Sequence, residues 1–318
     1  MKKITGIFLA AALQAAAAGA HADGRNIELV VPFATGGSTD VYARLLAKEL
    51  AAELKSNVVV VNRPGAGGGL GAASVARATP DGKTILLGTI STHAINPWLY
   101  SNLPYHPARD FTPVAKVVAM PNVLVVRADS NVKTVDDLVN LAKAKEQSFG
   151  SAGGGTTSNL AGELMKQFKP EMKLAHVPYK GSAPATTDLL GGHIDLQFDN
   201  LTSLLGQINS GRLRALAVSS LQASEQLPGI KPLAEQGFKG YDLQSWFGIF
   251  LPKGAAAATV AELSDALKRT YVKPEFLQQI KTAGITPDLV PEPEFSRFVA
   301  AEQEKWGKVV KAAHIKLD

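Results

Sequence analysis

Short runs of β-branched residues alternate with apolar residues at helical spacing, and this alternation limits the possible folds more than any other feature. Residues 27–31, 58–61 and 84–87 have the composition of strands. Between the first two runs, apolar residues recur on one helix face, at Val41, Leu45, Leu46, Leu50 and Leu54. The pattern predicts an α/β fold built from βαβ units, with mainly parallel sheets flanked by helices.

The pattern changes between residues 111 and 126, where Pro121 and Asn122 separate two long apolar stretches. The alternation then restarts with a predicted helix near 135–144, and a long apolar run at 243–251 has the composition of a returning strand. Further strands are predicted near 148–149, 174–177, 196–198 and 213–218. After the returning strand, two or three surface helices are expected, of which the last is at 294–314.

We therefore expect the chain to cross twice between two lobes that enclose a ligand cleft. The predicted first lobe is discontinuous and comprises residues 24–122 and 245–318, while residues 123–244 form the second. A chain of this length is long enough for two domains, each with its own core. Closure of the lobes is expected to hinge near Asn122 and Ser245.

The N-terminus has the three segments of a secretory signal peptide. Lys2 and Lys3 precede an apolar run at 4–13, and a small-residue stretch ends at Ala22, where cleavage is predicted (residues 1–22). A membrane anchor is the weaker interpretation, since a spanning helix needs about 20 apolar residues. The mature chain is thus expected in the periplasm. The sequence contains no cysteine, which excludes disulfides, a lipidated cysteine and thiol nucleophiles.

Charge and histidine spacing exclude several other classes of function. The net charge is +5, but Lys and Arg are scattered and aromatic residues make up 7%, so no nucleic-acid surface is predicted. The histidines show no metal-ligand spacing, and neither a metal nor a cofactor is expected. Those that follow the predicted cleavage site are His93, His106, His176, His193 and His314. No Gly-x-Ser-x-Gly motif is present, and no catalytic residue is predicted.

Two glycine-rich loops, at 32–40 and 151–159, each lie between a predicted strand and a predicted helix. Glycine allows the sharp turn, and the free N–H groups at a helix start favour a carboxylate. A simple capped turn, with Ser38 or Thr39 as N-cap, is the alternative for the first loop. Neither loop contains arginine, so we expect main-chain N–H groups and hydroxyls to hold the anion. Arg44 lies a helical turn beyond Asp40 and is expected to contribute little.

A third glycine cluster, at 62–72, contains a Gly-x-Gly-x-x-Ala match. Dinucleotide binding would also require an acidic residue about 20 positions further on, at the end of the next strand. That strand ends Leu87-Gly88-Thr89, so the cluster is better explained by close packing of the backbone.

Together, these motifs resemble those of the Bug, or TctC-type, receptors of tripartite tricarboxylate transporters. The resemblance covers nearly the whole mature chain. It rests on Pro32-Phe33 with Gly36-Gly37 and Asp40, on residues 62–68, on the loop at Ser151, on the segment from His176 to Gly181, and on Asp195 to Asp199.

The resemblance implies a two-lobed type II periplasmic-binding fold, a small organic or amino-acid carboxylate as ligand, and the membrane components of such a transporter as partners. The implied ligand-binding residues are Phe33, Gly36, Gly37, Ser38, Asp40, Thr89, Thr92, Ser151, Gly155, Thr156, Asn159, Tyr179, Lys180 and Asp199. Thr35 and Asn159 depart from the family's usual proline and histidine.

Alternatives remain for individual residues and for the function. Tyr179 could seal the cleft rim, Lys180 could be a solvated charge, and Asp199 could cap a helix starting near Leu201. The predicted function is a monomeric transport receptor that is not an enzyme. A sensor for a signalling partner and an exported enzyme acting on a small organic acid are the alternatives, because a fold alone does not fix a function.

Overall fold

The computed structural model describes residues 25–312. The predicted signal peptide and His314 lie outside the described residues. The strands are β1 (Asn26–Val31), β2 (Asn57–Asn62), β3 (Thr84–Thr89), β4 (Phe111–Arg127), β5 (Gln147–Ser151), β6 (Leu174–Pro178), β7 (Leu196–Asn200), β8 (Leu213–Val218), β9 (Gln244–Pro252) and β10 (Thr286–Pro291). The helices are α1 (Ser38–Leu54), α2 (Gly69–Ala76), α3 (Asn96–Leu99), α4 (Val135–Ala144), α5 (Thr157–Phe168), α6 (Ser182–Gly191), α7 (Leu201–Asn209), α8 (Ala257–Thr270), α9 (Pro274–Thr282) and α10 (Glu294–Ala312).

Strand β4 joins two groups of strands. The first group consists of β1, β2, β3, β9 and β10, and the second of β5, β6, β7 and β8. The residues of β4 from Phe111 to Pro121 pair with β9, and β10 pairs along part of the same stretch. From Asn122 to Arg127 it pairs with β7 and β8. All four pairings are antiparallel, whereas β1–β2, β1–β3, β5–β6 and β5–β7 are parallel. The α/β fold is therefore confirmed, and its sheet is mixed where the chain passes between the two groups.

The two apolar stretches between residues 111 and 126 belong to one strand, because β4 runs through Pro121 without interruption. Proline cannot donate to a strand ladder, so it is tolerated where ladder pairing is interrupted. Pro121 lies at such a place, since β4 pairs with β9 up to this residue and with β7 beyond it. The next N–H, that of Asn122, donates to Ser219 Oγ at 2.8 Å.

Sequence analysis also missed β10, which lies between α9 and α10 where only helices were expected. Its sequence contains Pro287 and Pro291, and it pairs with the single strand β4 through an irregular register. Proline in a short run argues against a central strand but is compatible with an edge.

Three buried clusters form the core. One packs α1, α8 and α9 on the first group of strands, and one packs α6 and α7 on the second. A third cluster extends from Trp306 and Phe250 to Phe149 and Phe198, by way of Leu124 on β4. None of the helices between residues 25 and 312 has the length and apolar character needed to cross a bilayer.

Candidate ligand-binding site

A cavity lies where the two groups of strands meet, bounded by helix starts from both. The volume within which the centre of a water molecule can move is about 40 Å³. The cavity therefore has room for a few water molecules. Its lining residues are Phe33, Ala34, Gly37, Ser38, Thr39, Thr89, Ile90, Ser91, Ala152, Thr156, Thr157, Ser158, Gly181, Ser182, Asp199, Asn200, Ser245 and Phe247.

The helices that begin at this cavity include α1, α5 and α6. Their N-cap residues are Gly37 for α1, Thr156 for α5 and Gly181 for α6, and all three line the cavity. The first N–H groups of a helix have no partner within the helix, and the helix dipole adds partial positive charge at the same end. Three such ends around one cavity create a positive environment for an anion.

Glycine conformations shape the turns that precede these helices. Gly36, Gly155 and Gly181 have φ angles of +84°, +77° and +149°, a region that other residues rarely adopt. In the second loop, Thr156 caps α5 by accepting the N–H of Asn159 at 3.3 Å. Its hydroxyl donates to Gly153 O at 2.7 Å, so this side chain holds the loop together.

The structure brings part of the implied ligand-binding set to the cavity wall. Phe33, Gly37, Ser38, Thr89, Thr156 and Asp199 line it, whereas Gly36, Asp40, Thr92, Ser151, Gly155, Asn159, Tyr179 and Lys180 do not.

Asp40 supports the first loop from behind. Its carboxylate accepts the Gly36 N–H, the Asn62 amide and two N–H groups of Arg44, each at 3.0 Å. Burial acts to raise the pKa of Asp40, but these hydrogen bonds outweigh it and hold the pKa below the usual value. The Arg44 side chain is 55% exposed and is turned to Asp40, as expected for an arginine that does not clamp the ligand.

Ser151, Gly155 and Asn159 form the internal bonds of the second loop. The Gly155 N–H donates to Asn159 Oδ1 at 3.2 Å, and the Asn159 amide contacts His176 Nδ1 at 3.3 Å. His176 Nε2 lies 2.7 Å from Ser151 Oγ. Burial lowers the pKa of His176 to about 4, so the ring is neutral at pH 7.

The three remaining residues of the implied set that lie off the cavity have other contacts or face solvent. Thr92 Oγ1 accepts the Thr89 N–H at 2.9 Å and fixes the turn after β3. Tyr179 donates its hydroxyl to Asp188 at 2.6 Å, and Lys180 is exposed.

Asp199 is the one ionisable side chain among the described residues that line the cavity. It is 2% exposed and accepts hydrogen bonds from the Asn200 N–H at 2.7 Å and Gln197 Nε2 at 3.1 Å. Burial raises its pKa to about 6, although hydrogen bonds from Ser182, Asn200 and Gln197 act in the opposite direction. The charge of the wall therefore depends on pH near neutrality.

Sequence analysis missed several lining residues, among them Ser182, Asn200 and Ser245. A signal for Ser182 was present, because Gly181-Ser182 lies between a strand and a helix as the two recognised loops do. Asn200 and Ser245 gave no local signal, since the pairing of distant strands brings them together.

Helices and loops on the two sides of the cleft also touch directly across it. The Ser38 N–H donates to Ser203 Oγ at 3.1 Å, and the Tyr100 hydroxyl donates to Gly154 O at 3.4 Å. The cleft is therefore closed on two sides in this structure.

Comparison with known proteins adds an independent line of evidence. Residues 42–315 match the model of the tripartite tricarboxylate transporter family receptor. Protein BugT of Bordetella pertussis is 35% identical over 318 residues, which cover 99% of this chain and 97% of that protein. An R. palustris protein solved with adipate is 34% identical, with a TM-score of 0.89 and coverage of 92% of this chain and 98% of that one. MatC from Rhodopseudomonas palustris, solved with bound malate, is 30% identical, with a TM-score of 0.83 and coverage of 90% and 99%.

Proposed function

The chain belongs to the tripartite tricarboxylate transporter receptor family, and from this premise we propose that its cleft binds a small carboxylate for delivery to a transporter in the membrane. The observation that carries the proposal is the meeting of three helix starts at one cavity. Similar proteins solved with adipate and with malate support the same ligand class.

The proposed anion site consists of main-chain N–H groups of the first turns of α1, α5 and α6, with Ser38 and Ser182 beside them. A hydrogen bond to a charged group contributes about 1.5–3 kcal/mol, roughly twice a neutral one. Asp199 repels a bound carboxylate when ionised, so we propose that the ligand presents an uncharged or donor group to this side of the cavity.

We further propose that the pairing change along β4 marks the boundary between two lobes. Residues 24–122 with 245–318 would form one lobe, and residues 123–244 the other. The supporting observation is that Asn122 is the first residue of β4 to pair with β7. Family membership also supports a periplasmic location after cleavage behind Ala22, which N-terminal sequencing of the exported protein would test.

The proposed partners are the membrane subunits of the transporter, with the receptor acting as a monomer. The proposal assigns no catalytic step to the cleft. A role as a ligand sensor for a signalling protein would use the same cavity and differs only in the partner that contacts the closed form.

A thermal-shift screen of mono-, di- and tricarboxylates tests the proposed ligand class. A ligand that binds only the folded protein stabilises it by about 2.7 kcal/mol at a concentration of 100 Kd. We expect at least one carboxylate to raise the melting temperature in a concentration-dependent way. A response confined to neutral sugars or cations would contradict the proposal.

A further inference from the structure

Asn200 does not use its side chain as its position in the fold predicts. It is the N-cap residue of α7, yet it makes no side-chain capping bond. Asparagine is favoured at an N-cap because its side-chain oxygen accepts an N–H of the first turn. Here Oδ1 accepts instead from Ser245 Oγ at 2.5 Å and from Asn122 Nδ2 at 3.2 Å. These two donors lie on β9 and β4, the strands that connect the two groups.

The other end of the same amide reaches across the cleft. Asn200 Nδ2 donates to Ser38 Oγ at 2.7 Å, and Ser38 is the first residue of α1. Both residues line the cavity. One asparagine therefore links the start of α1 to both connecting strands.

The direction of each hydrogen bond in this network follows from its donors. Ser245 has a single hydroxyl proton and gives it to Asn200, so Thr157, whose Oγ1 lies 2.7 Å from Ser245 Oγ, is the donor to Ser245. Thr157 is the first residue of α5. The bonds thus run from Thr157 through Ser245 and Asn200 to Ser38, whose own proton is left for an acceptor in the cavity. Aligned hydrogen bonds of this kind strengthen one another.

Burial holds the network in this orientation. Asn122 is fully buried and Ser245 is 1% exposed, so water does not compete for their bonds. Asn122 Oδ1 has no hydrogen-bond partner within residues 25–312. Leaving a buried amide oxygen unpaired is costly, and the bond from Asn122 Nδ2 to Asn200 offsets part of that cost.

We infer that Asn200 is a positioning residue of the ligand site, which sets the distance between the first turns of α1 and α5 and orients the Ser38 hydroxyl toward the bound carboxylate. The inference rests on the proposed function, because it takes the ligand carboxylate as the acceptor of the Ser38 proton.

A double-mutant cycle measured by calorimetry, with adipate and malate as probes, tests the action of Asn200 through Ser38. We expect Asn200→Ala and Ser38→Ala each to weaken binding about tenfold, the loss of one hydrogen bond to a charged group. The double variant should bind within about twofold of Ser38→Ala alone, because residues that act through one contact are not additive. The matched control, Asn57→Ala, removes an exposed amide bond to Asn26 far from the cavity and should leave affinity unchanged.

Distance measurement between spin labels tests the positioning role without any ligand. The chain has no cysteine, so Lys48→Cys on α1 and Asn140→Cys on α4, both exposed, provide unique labelling sites. Asn200→Ala should lengthen or broaden the interlabel distance in the ligand-free protein, and Ser245→Ala should act in the same direction. Asn57→Ala should leave the interlabel distance distribution unchanged.

Two results would overturn the inference. One is additive losses in the cycle, with the double variant about a hundredfold weaker than the wild type. The other is an unchanged distance distribution in both Asn200→Ala and Ser245→Ala. A wild-type protein that binds neither adipate, nor malate, nor any other carboxylate of the thermal-shift screen would count against the proposed function instead, and the label distances would still decide whether Asn200 positions α1.

Discussion

Asp199 places a carboxylate in the wall of a cavity that we propose for an anion. Its pKa of about 6 lies above the value of 3.8 expected for an unfolded chain, so the folded protein binds the proton more tightly. The stability that this proton contributes is fully present below pH 3.8 and is lost as the pH rises through about 6. Asp199→Asn should therefore be more stable than the wild type at pH 7.5, by up to about 3 kcal/mol.

Urea unfolding of both proteins at pH 5 and pH 7.5 measures this effect. We expect the advantage of Asp199→Asn to be larger at pH 7.5 than at pH 5. An advantage that is the same at both values, or absent at both, would mean that burial does not raise the pKa of Asp199.

Thr156 shows how the structure changes the interpretation of a residue that the sequence identified. Its hydroxyl bonds Gly153 O and the Asn159 N–H, so it orders the loop that presents the α5 start. Thr156→Val should cost about 1 kcal/mol of stability through the lost cap and should weaken carboxylate binding about tenfold or more, because the loop donors move.

Thr134→Val provides the matched control, since Thr134 caps α4 by accepting the Asp137 N–H at 3.0 Å and does not line the cavity. It should lose similar stability with unchanged affinity. Equal effects of the two variants on affinity would show that loss of a cap alone explains the result for Thr156.

Arg44 tests the absence of an arginine clamp. Because its guanidinium bonds Asp40 and its side chain is largely exposed, Arg44→Gln should change affinity by no more than about twofold. A tenfold loss in calorimetry would assign the anion to a side-chain cation and contradict the main-chain site.

At the scale of elements, periodicity predicted those whose local pattern matches their environment. The spacing of apolar residues predicted α1 and α4, and β-branched runs predicted β1 and β2. Strand β10 and the continuity of β4 were not predictable, because both depend on pairing with strands more than a hundred residues away. Strand β10 depends in addition on an edge position that tolerates proline. The third helix start, that of α6, was missed because a single glycine precedes it.

Gly155 tests whether contact between the lobes sets the geometry of the second loop. A Cβ at this position would lie 2.8 Å from Asn96 Oδ1, and the φ of +77° is strained for alanine. Gly155→Ala should cost about 1 kcal/mol or more in stability and weaken carboxylate binding, because the loop must move away from α3.

Gly206→Ala is the matched control, because Gly206 lies within α7 and nothing lies within 4 Å of its added Cβ. It should gain about 0.5–1 kcal/mol in urea unfolding and keep its affinity. Unchanged affinity in Gly155→Ala would show that the contact with Asn96 has no effect on the site.

At the scale of the whole molecule, direct bonds across the cleft, such as that of the Ser38 N–H to Ser203 Oγ, hold its walls together. We therefore expect the lobes to separate for ligand entry, by bending near Asn122 and Ser245. Small-angle scattering should show a ligand-free radius of gyration above that calculated for this structure, which falls when ligand is added. A ligand-free radius above the calculated value that does not fall at saturating ligand would contradict closure.

Calorimetric titration with adipate and with its uncharged diamide tests most directly the claim that helix N-termini hold a carboxylate in this cleft. The two molecules have nearly the same shape but differ in the charge that the helix starts are proposed to bind. We predict binding of adipate, or of malate where adipate is too long, and a loss of about a hundredfold or more for the corresponding diamide, since at least two charge-assisted bonds are weakened. Equal affinity for the acid and its diamide would contradict the account.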